Sequence, residues 1–219
     1  MSFSSLLHNI ADAEQGPKTC AVFDFDGTII SGYSATAFLK DQIARGEISP
    51  ADLVQLTQAT TRFGIGSLGF SALMAVHAQY LAGRSETDYI ANSERLFRRA
   101  IAKLIYPEAR QLIEAHRAAG HSIAIISSAT PYQVLPAAKD LDIEHVYATD
   151  LEVEDGQFTG GVVQPTCFGI GKVHAAERFL AQQDGDLENC FFYSDSVDDI
   201  ELLETAGRPV VLNGSRELK

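Results

Sequence analysis

Short apolar runs that each break off at an oxygen-bearing side chain constrain this chain more than any other feature. TCAVFDFD, from Thr19, runs into Asp24 and Asp26, SIAIIS (Ser122–Ser127) ends in serine, and NCFFYSD reaches Asp195. None alternates apolar with polar, as a strand wet on one face does, so they read as strands buried on both faces of a parallel sheet. Parallel strands need long crossovers, and the intervening stretches supply helical patterns. Pro107 starts a helix that carries Ala109, Leu112, Ile113 and His116 on one face and stops at Gly120. Thr130-Pro131 starts another, which Pro136 is expected to kink or shorten. From about Lys172 to Gln182, Val173, Ala176, Phe179 and Leu180 share a face. HVYA, from His145, and PVVL (Pro209–Leu212) are further short strands, and LEVEDGQFTGGVV reads as a hairpin turning at Asp155-Gly156. The fold class is α/β, a doubly wound parallel sheet.

Residues 34–104 depart from this alternation. They hold no convincing strand, and helix starts at Ser49-Pro50 and Ser85 with stops at Gly46 and Gly83 point to an all-helical cap inserted after the first strand. The α/β core then comprises 1–33 and 105–219, with residues 1–17 a short, partly helical lead-in ending at Gly16-Pro17. A length of 219 residues at 46% hydrophobic content is enough for a sizeable core. Seventeen basic against twenty-nine acidic residues leave a net charge of −12, which argues against nucleic acid and anionic membrane surfaces as partners. No apolar run approaches the ~20 residues of a membrane span and no basic leader precedes one, so a soluble cytoplasmic protein is expected. Cys20, Cys167 and Cys190 lack metal-type spacing and read as buried free thiols. No oligomeric state is specified by the pattern.

In an open α/β sheet, ligands bind beyond the carboxyl ends of the strands. Those ends deliver Asp24 and Asp26, Ser127 and Ser128, and Asp195, with Asp198 and Asp199 just behind; Lys172 opens a helix after FGIG. So many carboxylates in one crevice repel one another unless something positive is bound. A hard, oxygen-seeking dication such as Mg²⁺ answers this, with Asp24 and Asp195 as ligands beside a substrate phosphate. If the strand continues in extended form, Asp24 and Asp26 share a face while Phe25 turns into the core. One carboxylate is then placed to attack phosphorus and the other to move protons. Lys172 would offset the negative charge, while Ser127, Ser128 and backbone N–H groups near Gly27 would hold phosphate oxygens. Each residue alone has an ordinary reading as turn, cap or surface residue; their shared place after three different strands gives them weight.

Taken in order, DFDGT at Asp24–Thr28, IAIIS ending at Ser127, Lys172 in GIGKV, and SDSVDD with Asp195 and Asp199 resemble the motifs of the haloacid dehalogenase superfamily of phosphatases. The position of the helical insert resembles the phosphoserine-phosphatase-like branch. The resemblance spans Thr19 to Leu212. It implies that Asp24 becomes an aspartyl-phosphate, that Asp26 is the acid/base and binds Mg²⁺ through its backbone carbonyl, that Asp195 is a further ligand, and that Asp199 supports it. It also implies hydrolysis of a small phosphomonoester, with transfer to an acceptor other than water, or a phosphatase-like domain fused ahead of a phospholipid acyltransferase, as alternatives. Phosphoserine phosphatases carry a glutamate nine residues after the nucleophile; here Tyr33 stands there, which argues against phosphoserine. Tyr33, Arg62, Phe63 and Phe70 are candidates for the substrate-facing lining. GIGSLG (Gly64–Gly69) has the glycine spacing of a dinucleotide loop but follows no strand, so it reads as a bend or closing segment of the cap.

Overall fold

The computed structural model describes residues 2–48 and 67–214. Ser49-Pro50, Arg62, Phe63 and Gly64–Gly66 lie outside the described residues. A first helix, α1 (Phe3–Ala11), leads into β1 (Cys20–Phe23). Then come α2 (Ser34–Ala44), α3 (Ser67–Leu81) and α4 (Glu86–Leu96), the last continuing through a π turn at Phe97–Ile101 and a 3-10 turn at Ala102–Leu104. The remaining order is α5 (Pro107–Ala118), β2 (Ser122–Ile126), α6 (Pro131–Asp140), β3 (His145–Tyr147), β4 (Leu151–Glu154), β5 (Gln157–Val162), α7 (Ile170–Gln182), β6 (Cys190–Ser194), α8 (Ile200–Thr205) and β7 (Arg208–Val211).

Five strands form one parallel sheet in the order β3-β2-β1-β6-β7. Chain order reverses at β1, so the crevice between β1 and its neighbours opens at the sheet's carboxyl edge, where such folds bind ligands. Period-two geometry divides each central strand between two cores. Ala21, Phe23, Ile125, Phe191 and Tyr193 belong to one, and Cys20, Val22, Ala124, Ile126, Cys190 and Phe192 to the other. Both faces are covered, which is why the runs contain no polar alternation. Fully burying each Val, Ile or Phe contributes roughly 1.5–3 kcal/mol, and Phe23 also stacks on Tyr193 at 4.4 Å between centroids. All three cysteines are buried and free, as expected.

The helix boundaries follow local chemistry. Ser85 caps α4 by accepting the Asp88 N–H, and Gly120 ends the α5 segment with φ +72. At α6 the amide oxygen of Gln133 accepts from both the backbone N–H and the hydroxyl of Thr130. Pro136 does not shorten that helix, which runs on to Asp140; burial of Tyr132, Gln133, Val134, Ala137 and Ala138 holds it on both sides of the proline. The Asp155-Gly156 hairpin is present, both residues with positive φ (50 and 74). Its far end joins the α3–α4 connection: Gly83 N–H donates to Phe158 O, Phe158 N–H to Arg84 O, and Glu86 N–H to Gly156 O.

Candidate active site

β1 ends at Phe23, so the extended geometry expected for Asp24 and Asp26 does not persist. Asp24 still donates its N–H to Tyr193 O on β6, after which the chain turns, with Ile29 N–H returning to Phe25 O. Phe25 is fully buried. The turn, rather than strand alternation, therefore presents the two carboxylates. It contains Gly27 at φ +77, where an added Cβ would lie 2.1 Å from Asp195 Oδ2. Only glycine lets the first loop pass so close to the carboxylate that follows β6. Asp195 is further held by the Thr28 hydroxyl, and Asn213 donates to Gly27 O from the β7 end.

Lys172 occupies the first turn of α7, and its ammonium is buried between two carboxylates, 2.7 Å from Asp24 Oδ1 and 2.7 Å from Asp199 Oδ1. Asp199 also accepts the Ser194 hydroxyl at 2.6 Å, which fixes its orientation. Burial pushes Asp24 up to about 7, opposed by Lys172 and reinforced by Asp199. Lys172 is driven the other way from its own burial: Asp24 and Asp199 hold it protonated. Desolvation also raises Asp195 and Asp198.

Asp26 is held separately. Its two oxygens accept the Ser34 N–H at 2.7 Å and the Ser34 hydroxyl at 3.0 Å, and burial pushes it up to about 6 against those bonds. Ser34 Oγ in turn accepts from Gln133 Nε2 at 2.9 Å, and Gln133 is anchored on Thr130. Ser127 is buried at the end of β2; its oxygen accepts the Ala129 N–H, so its own proton is free to donate. Ser128 and Asp198 face the cavity that opens beside Asp26. Phe70 reaches that cavity by stacking on Phe168 at 4.4 Å, and Tyr33 stands at its edge, 68% exposed. The structure thus brings Asp24, Lys172 and Asp199 into contact, sets Asp195 against Gly27, and places Asp26 and Ser128 on a shared cavity. Ser34, Gln133, Thr28, Ser194 and Asn213 were not singled out by the sequence; the signal for Ser34 is its place at the start of the helix after the DGT turn.

Metal fit turns on donor chemistry. Among the described residues no three His, Cys, Asp or Glu side chains are grouped to hold an ion. Two side-chain carboxylates, Asp24 and Asp195, and a main-chain carbonyl make a different, all-oxygen set, suited to a hard dication that keeps several waters. The single ammonium of Lys172 lies among Asp24, Asp195 and Asp199, so the local charge is uncompensated when they ionise. The residues fit Mg²⁺.

An aspartate-rich crevice of this kind, at the switch point of a parallel sheet, defines a hydrolase of the haloacid dehalogenase type. Residues 21–204 match the haloacid dehalogenase-like hydrolase family, and the chain belongs to it. A phosphoserine phosphatase of Mycobacterium tuberculosis is 31% identical over 91% of this chain and 66% of its own length. A histidinol-phosphatase of Neisseria meningitidis is 28% identical, covering 92% of this chain and 93% of the relative. Among solved structures, a protein of unknown function from Bordetella pertussis superposes with a TM-score of 0.81 at 28% identity, over 92% of this chain and 93% of that one. No helix among the described residues is long and apolar enough to cross a membrane.

Proposed function

We propose that this chain is a Mg²⁺-dependent phosphomonoester hydrolase that works through an aspartyl-phosphate on Asp24. The observation that carries this reading is the buried Lys172 ammonium clamped between Asp24 and Asp199. It keeps the attacking carboxylate oriented and offsets charge on an incoming phosphate. Mg²⁺, held by Asp24, Asp195 and the Asp26 carbonyl, would supply charge neutralisation and lower the cost of ionising these carboxylates.

Asp24 attacks phosphorus, and the P–O bond to the alcohol breaks as Asp26 delivers a proton to the leaving oxygen. Asp26 then removes a proton from water, which attacks phosphorus, breaks the acyl-phosphate bond and releases inorganic phosphate and free Asp24. A carboxyl group pushed up to about 6 suits both roles, because it gives and takes a proton near neutrality. Ser127 donates its hydroxyl proton to a phosphate oxygen, and backbone N–H groups near Gly27 bind the others. Cleavage to free phosphate without an added acceptor distinguishes hydrolysis from transfer to another alcohol.

The test is phosphate release from a panel of phosphomonoesters with and without Mg²⁺. Wild-type protein should turn over in Mg²⁺ and stop on chelation. Asp24→Asn should lose at least about 10³-fold in kcat while keeping its unfolding transition, in line with removing a covalent nucleophile. Near-normal rates in that variant would end the proposed mechanism.

A further inference from the structure

We propose that the phosphate ester this site receives carries a large, uncharged, apolar alcohol, seated in the cavity beside α2 and α3. This substrate class rests on the phosphatase reading above. The cavity holds about 500 Å³ and opens directly on Asp26, Ser128 and Asp198. That volume belongs to sites that enclose a drug-sized molecule, and it exceeds what a three-carbon amino acid ester needs.

Its wall chemistry points the same way. Past the catalytic end, the described lining is mainly aliphatic and aromatic, including Phe38, Leu73 and Met74, with the stacked Phe70–Phe168 pair on one side. Among the described lining residues no lysine or arginine is present, and the only carboxylates are Asp26 and Asp198. His77, the remaining titratable group apart from the tyrosines, is pushed down to about 4 by burial and meets the Tyr89 hydroxyl at 3.4 Å, so it is neutral at pH 7. A substrate with an ammonium and a carboxylate would lose its hydration here and find no opposite charge among the described residues lining the cavity beyond its catalytic end. At the mouth, where an ammonium-binding glutamate would stand, Tyr33 offers a largely exposed ring.

Thr36, His77, Tyr80, Gln133 and Gln42 interrupt the apolar wall, and of these Gln42 is the one with an orphaned donor. Gln42 is 5% exposed and lines the cavity, and its Nε2 has no hydrogen-bond partner among the described residues. An orphaned buried donor costs stability unless something accepts from it. A neutral oxygen on the far part of the substrate, such as a carbonyl, ether or hydroxyl, supplies that acceptor once the amide rotates toward it. The alcohol is therefore apolar along most of its length and carries an uncharged oxygen away from the phosphate.

The experiment pairs two series on the full chain with Mg²⁺ present. Non-hydrolysable n-alkylphosphonates from ethyl to octyl are titrated by calorimetry, and the matching alkyl phosphates are assayed for phosphate release. Kd should tighten, and kcat/KM should rise, by about fourfold per added methylene until the cavity is full. Phenyl- and naphthylphosphonate arms tell an aromatic occupant from a linear one by which series saturates first. Leu73→Lys, which places an ammonium in the wall, should flatten both series, and a variant that keeps the wild-type gain per methylene overturns the proposal. A flat wild-type binding series, or phosphoserine turned over better than octyl phosphate, overturns the proposal. Phosphonates that tighten with length while no ester is hydrolysed would instead overturn the phosphatase reading and leave the cavity as an alkyl-phosphate binding site.

Discussion

Ser34 makes a contact at Asp26 that the amino-acid pattern hides. Its N–H and hydroxyl both serve one carboxylate, and Gln133, 99 positions away in the chain, holds the hydroxyl in place. Ser34→Ala removes one of the two donors and releases Gln133 Nε2 from its acceptor. We expect kcat to fall by roughly 10–100-fold with KM changed less than threefold, because orientation of the proton-transfer group is lost and substrate contacts are kept; steady-state kinetics on one fixed ester reads this. Gly27 fails differently. A methyl group there would overlap Asp195 at 2.1 Å and force φ +77 on a residue with a Cβ, so Gly27→Ala should abolish measurable turnover and cost about 1–3 kcal/mol of stability in urea denaturation.

At the scale of elements, legibility followed burial. The strands at Cys20–Phe23 and Cys190–Ser194 could be read because both faces are covered, so apolar residues run without alternation up to Ser194. The hairpin could be read because Asp155-Gly156 meets the backbone demand of its turn. Its seat against the α3–α4 connection could not, since backbone bonds such as Gly83 N–H to Phe158 O carry no side-chain signature. The same limit applies to the cavity, whose walls come from α2, α3 and the segment before α7 and meet only after packing. Asp24, Asp195 and Lys172 were legible because each sits at a strand end or helix start; the carboxylate-facing Ser34 was not, because nothing local marks its partner. Pro136 shows tertiary contacts overriding propensity. Burial around it carries α6 past a residue that removes a backbone donor. Restoring the N–H in Pro136→Ala should therefore stabilise the protein by about 2 kcal/mol, after allowing for the greater freedom of its unfolded chain. The midpoint in a thermal melt should rise by several degrees.

Across the whole molecule, a buried polar chain ties the lead-in, α5, β6 and the start of β2 together. Glu14 O can only accept, so His121 Nε2 carries its proton at 3.1 Å; His121 Nδ1 then accepts from His116 Nδ1 at 2.8 Å, and His116 Nε2 accepts from the Tyr193 hydroxyl at 2.6 Å. Every bond is satisfied with both rings neutral, and a proton added to either ring sets N–H against N–H or hydroxyl. Burial and the neighbouring ring accordingly push His116 down to about 3, and burial lowers His121. The unfolded chain takes up these protons near pH 6.5, so in the window between about 6.5 and 3 it binds more protons than the native state. Stability from this network is full above pH 6.5 and falls on acidification, by up to about 1.4 kcal/mol per pH unit from His116, with His121 acting in the same direction. Asp24 and Asp26 work in the opposite sense, because their raised values favour the folded state at low pH and lose that advantage as pH climbs toward 7. A comparison of variants cancels the carboxylates and isolates the rings. His116→Gln keeps donor and acceptor atoms but cannot be protonated, so it should be less stable than wild type at pH 7.5 by roughly 1–3 kcal/mol. That gap should narrow steadily in urea denaturation at pH 6.5, 5.5 and 4.5; a gap independent of pH would mean that His116 takes up its proton as readily in the folded protein as in the unfolded chain, and a gap that widens would mean that it is charged there, either of which ends the neutral chain of hydrogen bonds.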